Sequence, residues 1–223
     1  MKSFNLTLLF IFITAISLKA QTYQTYVHDI DGKPISLRNY TNVTGSPYLN
    51  DTWNKGSIIT ESGKTFVDIQ LKYNIVEDVI YFNSDKNEPK LFVEPVKSFE
   101  FDNDGIRKNF SNGFPDVDNF NYSTYYQILY KGAKASLLYK NSKYITEAKA
   151  YGSATIEKKF TDNGSYYILR NGSMDKFKPS KKEILALFND KSNEVNSYLK
   201  KSDIDFKNNA DLAKVFDFYY SLQ

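Results

Sequence analysis

The sequence predicts an α+β protein: an antiparallel β-rich body, arranged as a curled sheet, an incomplete barrel or a sandwich, with a C-terminal helical segment. Three observations carry this. Between Gly56 and Arg170, short runs of aromatic and β-branched residues recur between turn-forming residues. Most separators are far shorter than the crossovers that parallel pairing needs. Beyond Pro179 the apolar period changes from two to three and four, the helical spacing.

The elements follow in order. Lys2 precedes a nearly unbroken apolar run over residues 4–18, and Lys19-Ala20-Gln21 places a small residue at a natural cut point. This is the layout of a secretory signal peptide, and the run is shorter than the roughly 20 residues a membrane helix needs. The expected mature chain starts at Gln21 and is periplasmic or secreted. Residues 22–31 read as an edge strand or an arm. They hold the single histidine, His28, taken as an ordinary surface residue.

The clearest strand is residues 64–75, where Val67, Ile69, Leu71, Tyr73 and Ile75 alternate with Asp68, Gln70, Lys72 and Asn74. Period two puts the first set on one sheet face. Strands are also expected at 56–60, 79–83, 89–93 and 98–101, making a meander. A second set is expected at 125–130, 133–139, 144–148, 154–160 and 166–170, punctuated by Lys131-Gly132, Asn163-Gly164 and Asn171-Gly172. Residues 109–121, polar and turn-rich around Pro115, read as a mobile loop or an inter-sheet crossover. The neighbours Tyr125-Tyr126 and Tyr166-Tyr167 should point to opposite faces, one ring inward and one outward, either for stacking on a sugar or apolar ligand or, the favoured reading, as an aromatic-rich strand with one half-exposed ring.

Three short helices close the chain. Ser180 with Glu183 forms a capping box after Pro179, and Ile184, Leu185, Leu187 and Phe188 share one side. Ser192 is expected to cap a second helix bearing Val195, Tyr198 and Leu199. Asn208 with Asp211 caps a third, whose Leu212, Val215, Phe216, Tyr219 and Leu222 follow amphipathic spacing. Helices this short do not persist alone, so the trio is expected to pack on the sheet or on itself, a cap burying one sheet face being favoured over a tail that docks on a partner. The domain scheme is thus 1–20 signal peptide, 21–178 β-rich domain and 179–223 helical segment.

Composition removes much chemistry. With no cysteine there is no disulfide framework, thiolate catalysis or Cys-ligated zinc, and a lone histidine leaves no multi-histidine metal site. Losing Lys2 and Lys19 with the signal takes the balance from 29 basic and 26 acidic residues to 27 and 26, a formal +1. That gives no electrostatic reason to expect nucleic acid. No nucleotide-binding glycine loop occurs, and no second apolar run is long enough to span a membrane. Asp29-Ile30-Asp31-Gly32 and Asp102-Asn103-Asp104-Gly105 each contain part of a calcium loop. With Gly105 sixth, however, the twelfth position is Ser111, and with Gly32 sixth, the ends are Val27 and Arg38. Both read as β-turns, and neither a metal nor a cofactor is expected.

Gly45-Ser46-Pro47-Tyr48-Leu49, Trp53, Lys55-Gly56, Gly63-Lys64 and Leu71-Lys72-Tyr73-Asn74, with the tail motifs Leu185, Phe188, Tyr198, Leu212 and Tyr219-Tyr220, resemble uncharacterised exported proteins frequent in Bacteroidetes. The resemblance implies an extracytoplasmic location and carries no catalytic residues. The functional expectation is a non-enzymatic binding or envelope-associated protein whose partner is a protein, a glycan or a small apolar ligand. The alternative is a carboxylate-dependent glycan hydrolase, which needs two acids facing one cleft.

Overall fold

The computed structural model describes residues 25–26, 32–34, 40–103, 105–133, 135–149 and 156–223; the expected signal peptide and His28 lie outside them. The strands are β1 (Thr25–Tyr26), β2 (Gly32–Pro34), β3 (Val43–Thr44), β4 (Asn54–Thr60), β5 (Thr65–Asn74), β6 (Val79–Asn83), β7 (Pro89–Phe92) and β8 (Val96–Asn103). They continue with β9 (Ile106–Ser111), β10 (Tyr126–Lys131), β11 (Ala135–Lys140), β12 (Lys143–Lys149), β13 (Ile156–Asp162), β14 (Ser165–Arg170) and β15 (Ser173–Phe177). The helices are α1 (Lys181–Leu187), α2 (Ser192–Lys201) and α3 (Asn209–Ser221). None of the helices among the described residues is long and apolar enough to cross a membrane.

Twelve strands form one open sheet in the order β15-β14-β11-β10-β9-β8-β4-β5-β6-β7-β2, with β1 added in parallel to β5 and every other pairing antiparallel. Connectivity alone forces this sheet to curl. β7 and β8 are joined by residues 93–95, yet β6, β5 and β4 stand between them. In a flat sheet that is four spacings of about 4.8 Å, roughly 19 Å, whereas four residue steps reach at most about 14 Å. The sheet therefore bends β7 round toward β8 without closing. Two backbone N–H groups hold the bend: Ser62 donates to Glu94 Oε1 and Glu61 to the Pro95 carbonyl, both at 2.9 Å.

The concave side of the curl is filled by Ile58, Leu71, Tyr73, Phe99, Phe101 and Phe110, all buried. The alternation along β5 places this set as expected, with one exception. Gly56 pairs with Ile69 but Ile58 pairs with Phe66, so Val67 and Asp68 together oppose Ser57 in a bulge, with Asp68 at φ 60°. The extra residue reverses the phase. Phe66 packs against the core, and Val67 turns to the outer face, contrary to the simple period.

The second half, β10, β11, β14 and β15, is covered on both faces. Ala135, Leu137 and Ile168 meet the helices through Ile184, Phe188, Val195, Leu212, Val215 and Phe216. On the other face, Tyr126, Leu138, Tyr167 and Met174 are covered by Phe114, Val117 and Phe120. The segment expected as a mobile loop or crossover is thus a packed lid, after its first three residues complete β9. The paired tyrosines do point to opposite faces: Tyr125 joins the curl core and Tyr126 the lid core, while Tyr166 joins the helical core and Tyr167 the lid. Tyr125, Tyr126 and Tyr167 are buried and Tyr166 is half-buried with its hydroxyl donating to Asn209 Oδ1 at 2.8 Å, the aromatic-rich strand with one half-exposed ring that the sequence favours.

The caps form locally. Ser180 Oγ accepts from the Glu183 N–H, and Asn208 Oδ1 accepts from Ala210 and Asp211. Ser192 does not cap α2; it is the first helical residue, following a 3-10 turn at Asn189–Lys191. Leu222 lies just past α3 rather than on its buried face. The remaining sheet, β12-β13-β3, is a hairpin between β11 and β14 anchored to the 40–48 segment. Lys143 Nζ donates to the Ser46 and Tyr48 carbonyls at 3.0 and 2.8 Å, and Phe160 meets Tyr40 edge-on at 5.0 Å.

Candidate functional site

Three places concentrate chemistry. The first is internal. The β5–β6 turn is held by Asn74, whose Oδ1 accepts the N–H groups of Val76 and Glu77, both at 3.1 Å. That turn places Asp78, at φ 58°, over the seam between the sheet halves. Its carboxylate accepts from the Tyr73 hydroxyl, from Lys140 Nζ at 2.6 Å and from the Tyr125 N–H at 3.1 Å. The Lys140 side chain is only 3% exposed. Its ammonium also donates to the Tyr73 hydroxyl at 3.3 Å and lies 5.8 Å from the Phe120 ring. Burial draws the Lys140 amine below its ordinary value, against the opposing pull of Asp78. Burial, then the Asp78 charge and hydrogen bond, pushes the Tyr73 hydroxyl well up.

A lysine with a lowered pKa is chemically a nucleophile or base. Here its neighbours are the Asp78 carboxylate, the Tyr73 phenol and the Phe120 ring, and its side chain is closed off from solvent. The arrangement joins the β5–β6 turn, the lid and the end of β11. It is a buried ion pair that locks two halves of a sheet, the kind whose rupture leaves an uncompensated charge.

The second place is a cleft of about 400 Å³ on the outer sheet face, opened by the β5 bulge and lined by Lys55, Val67, Asp68, Glu100, Asp102 and Arg107. Arg107 donates to Glu100 Oε1 at 2.9 Å and to both Asp102 oxygens at 3.1 and 3.2 Å. Lys55 pairs with Asp68 at 2.9 Å. The hydrogen bond from Arg107 holds the Asp102 carboxyl below the usual range. A glycoside hydrolase needs the opposite for its general acid, a carboxyl with a raised pKa. Gly105, at φ 77°, sits in the two-residue connection of β8 and β9, where Asn103 pairs with Ile106. Asp104 of this motif and residues 29–31 of the other lie outside the described residues, and Gly32 of the second motif belongs to β2.

The third place is an open groove of about 520 Å³ on the helical segment, between α2 and α3. Its floor is the pair Tyr198 and Phe218, stacked on each other at 4.2 Å, with Leu222 beside them; Asn193, Glu194, Ser197 and Lys201 form a polar rim. Helical spacing alone placed Tyr198 with the buried face of α2, yet it is half-buried and shared between core and groove. Phe218 belongs to the face of α3 that the amphipathic pattern left outside. Its only signal in the sequence is an aromatic residue off-period.

Compared with protein-family models, curated proteins and solved structures, the chain finds no match in any of the three.

Proposed function

We propose that this chain is an exported, non-enzymatic binding protein whose groove between α2 and α3 takes a small apolar molecule. The observation that carries the reading is the groove itself. Its volume falls in the range of small-molecule sites, about 300–1,000 Å³, and it joins an aromatic floor to a few polar rim groups, as such sites do. Two further features favour binding over hydrolysis. The carboxylates of the outer cleft are tied to Arg107 and Lys55, and the buried Lys140 is closed on Asp78 and Tyr73. Export rests on the N-terminal layout of Lys2, the apolar run and Ala20-Gln21.

An apolar fluorescent dye, anilinonaphthalene sulfonate, tests the site. Saturable binding at one site per chain is expected, and Phe218→Ser should weaken it at least tenfold, with a small fall in the melting temperature from the lost stacking on Tyr198 but an unchanged far-UV circular dichroism spectrum. Dye binding untouched by that substitution would remove the groove as the site. Intact-mass measurement of the exported protein tests the location: a chain beginning at Gln21 supports it, and a folded exported chain still carrying Met1–Ala20 contradicts it.

A further inference from the structure

The hairpin of β12 and β13 differs from the rest of the surface. Seven large apolar side chains are exposed among the described residues, and three of them, Tyr144, Ile145 and Ile156, stand on this hairpin; the other four are scattered. β12 pairs with β13 on one side only among the described residues. Its outer edge therefore offers backbone donors and acceptors to another strand. The comparable edge strand β15 is blunted: its exposed positions are Ser173, Asp175 and Lys176, and Lys176 is tied to Asp118 at 3.1 Å.

We propose that β12 is a dimerisation edge, pairing antiparallel with β12 of a second copy about a two-fold axis through Ile145. The sequence of the strand is complementary to itself in that register. Ile145 meets Ile145, Tyr144 lies opposite Thr146, and Lys143 faces Glu147 on both sides of the axis. A two-fold perpendicular to the sheet keeps side chains on their own face, so the neighbouring symmetric registers are centred on Thr146 or Tyr144. The first sets Lys143 against Lys149 and Ile145 against Glu147; the second sets Ile145 against Lys143. Both place like charge, or a charge and an apolar group, directly opposite, which cross-strand pairing disfavours. The charges of the strand are compensated within each copy: Lys143 Nζ donates to the Ser46 and Tyr48 carbonyls, and Glu147 pairs with Lys158 at 2.7 Å, so neither presents an uncompensated charge across the axis in the register centred on Ile145. The product is a continuous six-stranded sheet, β3-β13-β12 joined to its symmetry copy, an isologous contact of the commonest type.

The absence of cysteine makes the test clean. In the full-length exported protein, Ile145→Cys places two thiols across the axis, where directly opposed residues have Cα atoms about 4.5–5.5 Å apart, within disulfide range. Mild oxidation should convert most of this variant to a covalent dimer, while Thr146→Cys, which faces Tyr144 of the partner subunit, stays largely monomeric. In sedimentation, the unmodified chain should be dimeric at about 100 μM, where contacts with dissociation constants below about 10 μM are mostly formed. Ile145→Lys should be monomeric with an unchanged melt. A monomeric unmodified chain, a dimer that survives Ile145→Lys, or equal cross-linking at positions 145 and 146 would each overturn the proposal.

Discussion

The two halves of the large sheet solve the same burial problem in different ways. From β4 to β8 the strands curl, so one sheet encloses its own core, and Leu71, Phe101 and Phe110 are covered mainly by other strands. From β10 to β15 the strands expose apolar residues to both faces, and each face needs a separate cover: helices over Leu137 and Ile168, the 112–124 segment over Leu138 and Tyr167. The first half is secured by connectivity, the second by docking. A docked cover can be removed without cutting the sheet, so the second half should be the more breakable.

The largest expected effect tests that contrast. Deleting everything after Asn208 removes Leu212, Val215, Phe216 and Tyr219, all buried, and opens the apolar face of β11 and β14. The variant should aggregate in size-exclusion chromatography, as exposed apolar patches do. The point variant Phe216→Ala should cost about 3–5 kcal/mol in urea unfolding. The half-exposed Phe120 of the opposite cover should cost less. If Phe120→Ala costs as much as Phe216→Ala, the two covers are equivalent and the asymmetry between them is wrong.

The seam between the halves comes next. Asp78→Ala strands the Lys140 ammonium and removes the acceptor of Tyr73 and Tyr125, so a loss of about 3–5 kcal/mol is expected. Replacing both partners, Asp78→Ala with Lys140→Met, should recover much of that loss, because no charge is then left unpaired. A double variant as unstable as the single would mean that the carboxylate acts mainly by holding the lid rather than by neutralising the lysine.

Alkaline pH should weaken both halves together. Burial raises the hydroxyls of Tyr73 and Tyr125 in the curl and of Tyr126 and Tyr167 under the lid, and takes Tyr166 to about 12. A group whose folded pKa is raised contributes stability that is complete below its unfolded value, about 10, and is lost as pH climbs toward the folded value. Lys140, lowered on folding, has the opposite sign, but it is one group against five. Urea midpoints should therefore fall between about pH 9 and pH 11. A midpoint that holds across this range would show that the tyrosines ionise without cost to the fold.

The smallest effect is local. Asn208→Ala removes the acceptor for the Ala210 and Asp211 N–H groups and should cost about 1 kcal/mol. Val67→Thr, on the outer face of the bulge, should stay within about 0.5 kcal/mol. A core-sized loss at Val67 would restore the simple alternation and contradict the bulge.

Local chemistry was legible wherever neighbours in sequence decide the outcome. The Ser180 and Asn208 caps, the face of α3 and the alternation from Ile69 to Tyr73 all read directly. Strands β9 and β15 escaped because β9 buries only Phe110 and β15 only Met174 and Phe177, leaving no period to detect. Ser192 has the right chemistry for a cap, but the 3-10 turn before it already starts the helix. Tyr73, Tyr198 and Leu222 were visible as apolar positions of a strand and two helices, but their partners in the sites were not. Asp78 reads as a turn acid, Lys140 as a strand-end lysine and Phe218 as an off-period aromatic.

Residue inventory and periods of two or 3.6, which a few neighbours set, are enough to read the class of the fold, the position of most strands, the C-terminal helices and the chemistry ruled out by zero cysteines and one histidine. That the sheet curls, that residues 112–124 form a lid, that Val67 faces out and that Lys140 meets Asp78 across 62 residues emerges only from the folded chain. These depend on which distant segments are brought into contact, and burial, not residue type, decides whether a lysine is a solvated charge or half of an internal ion pair.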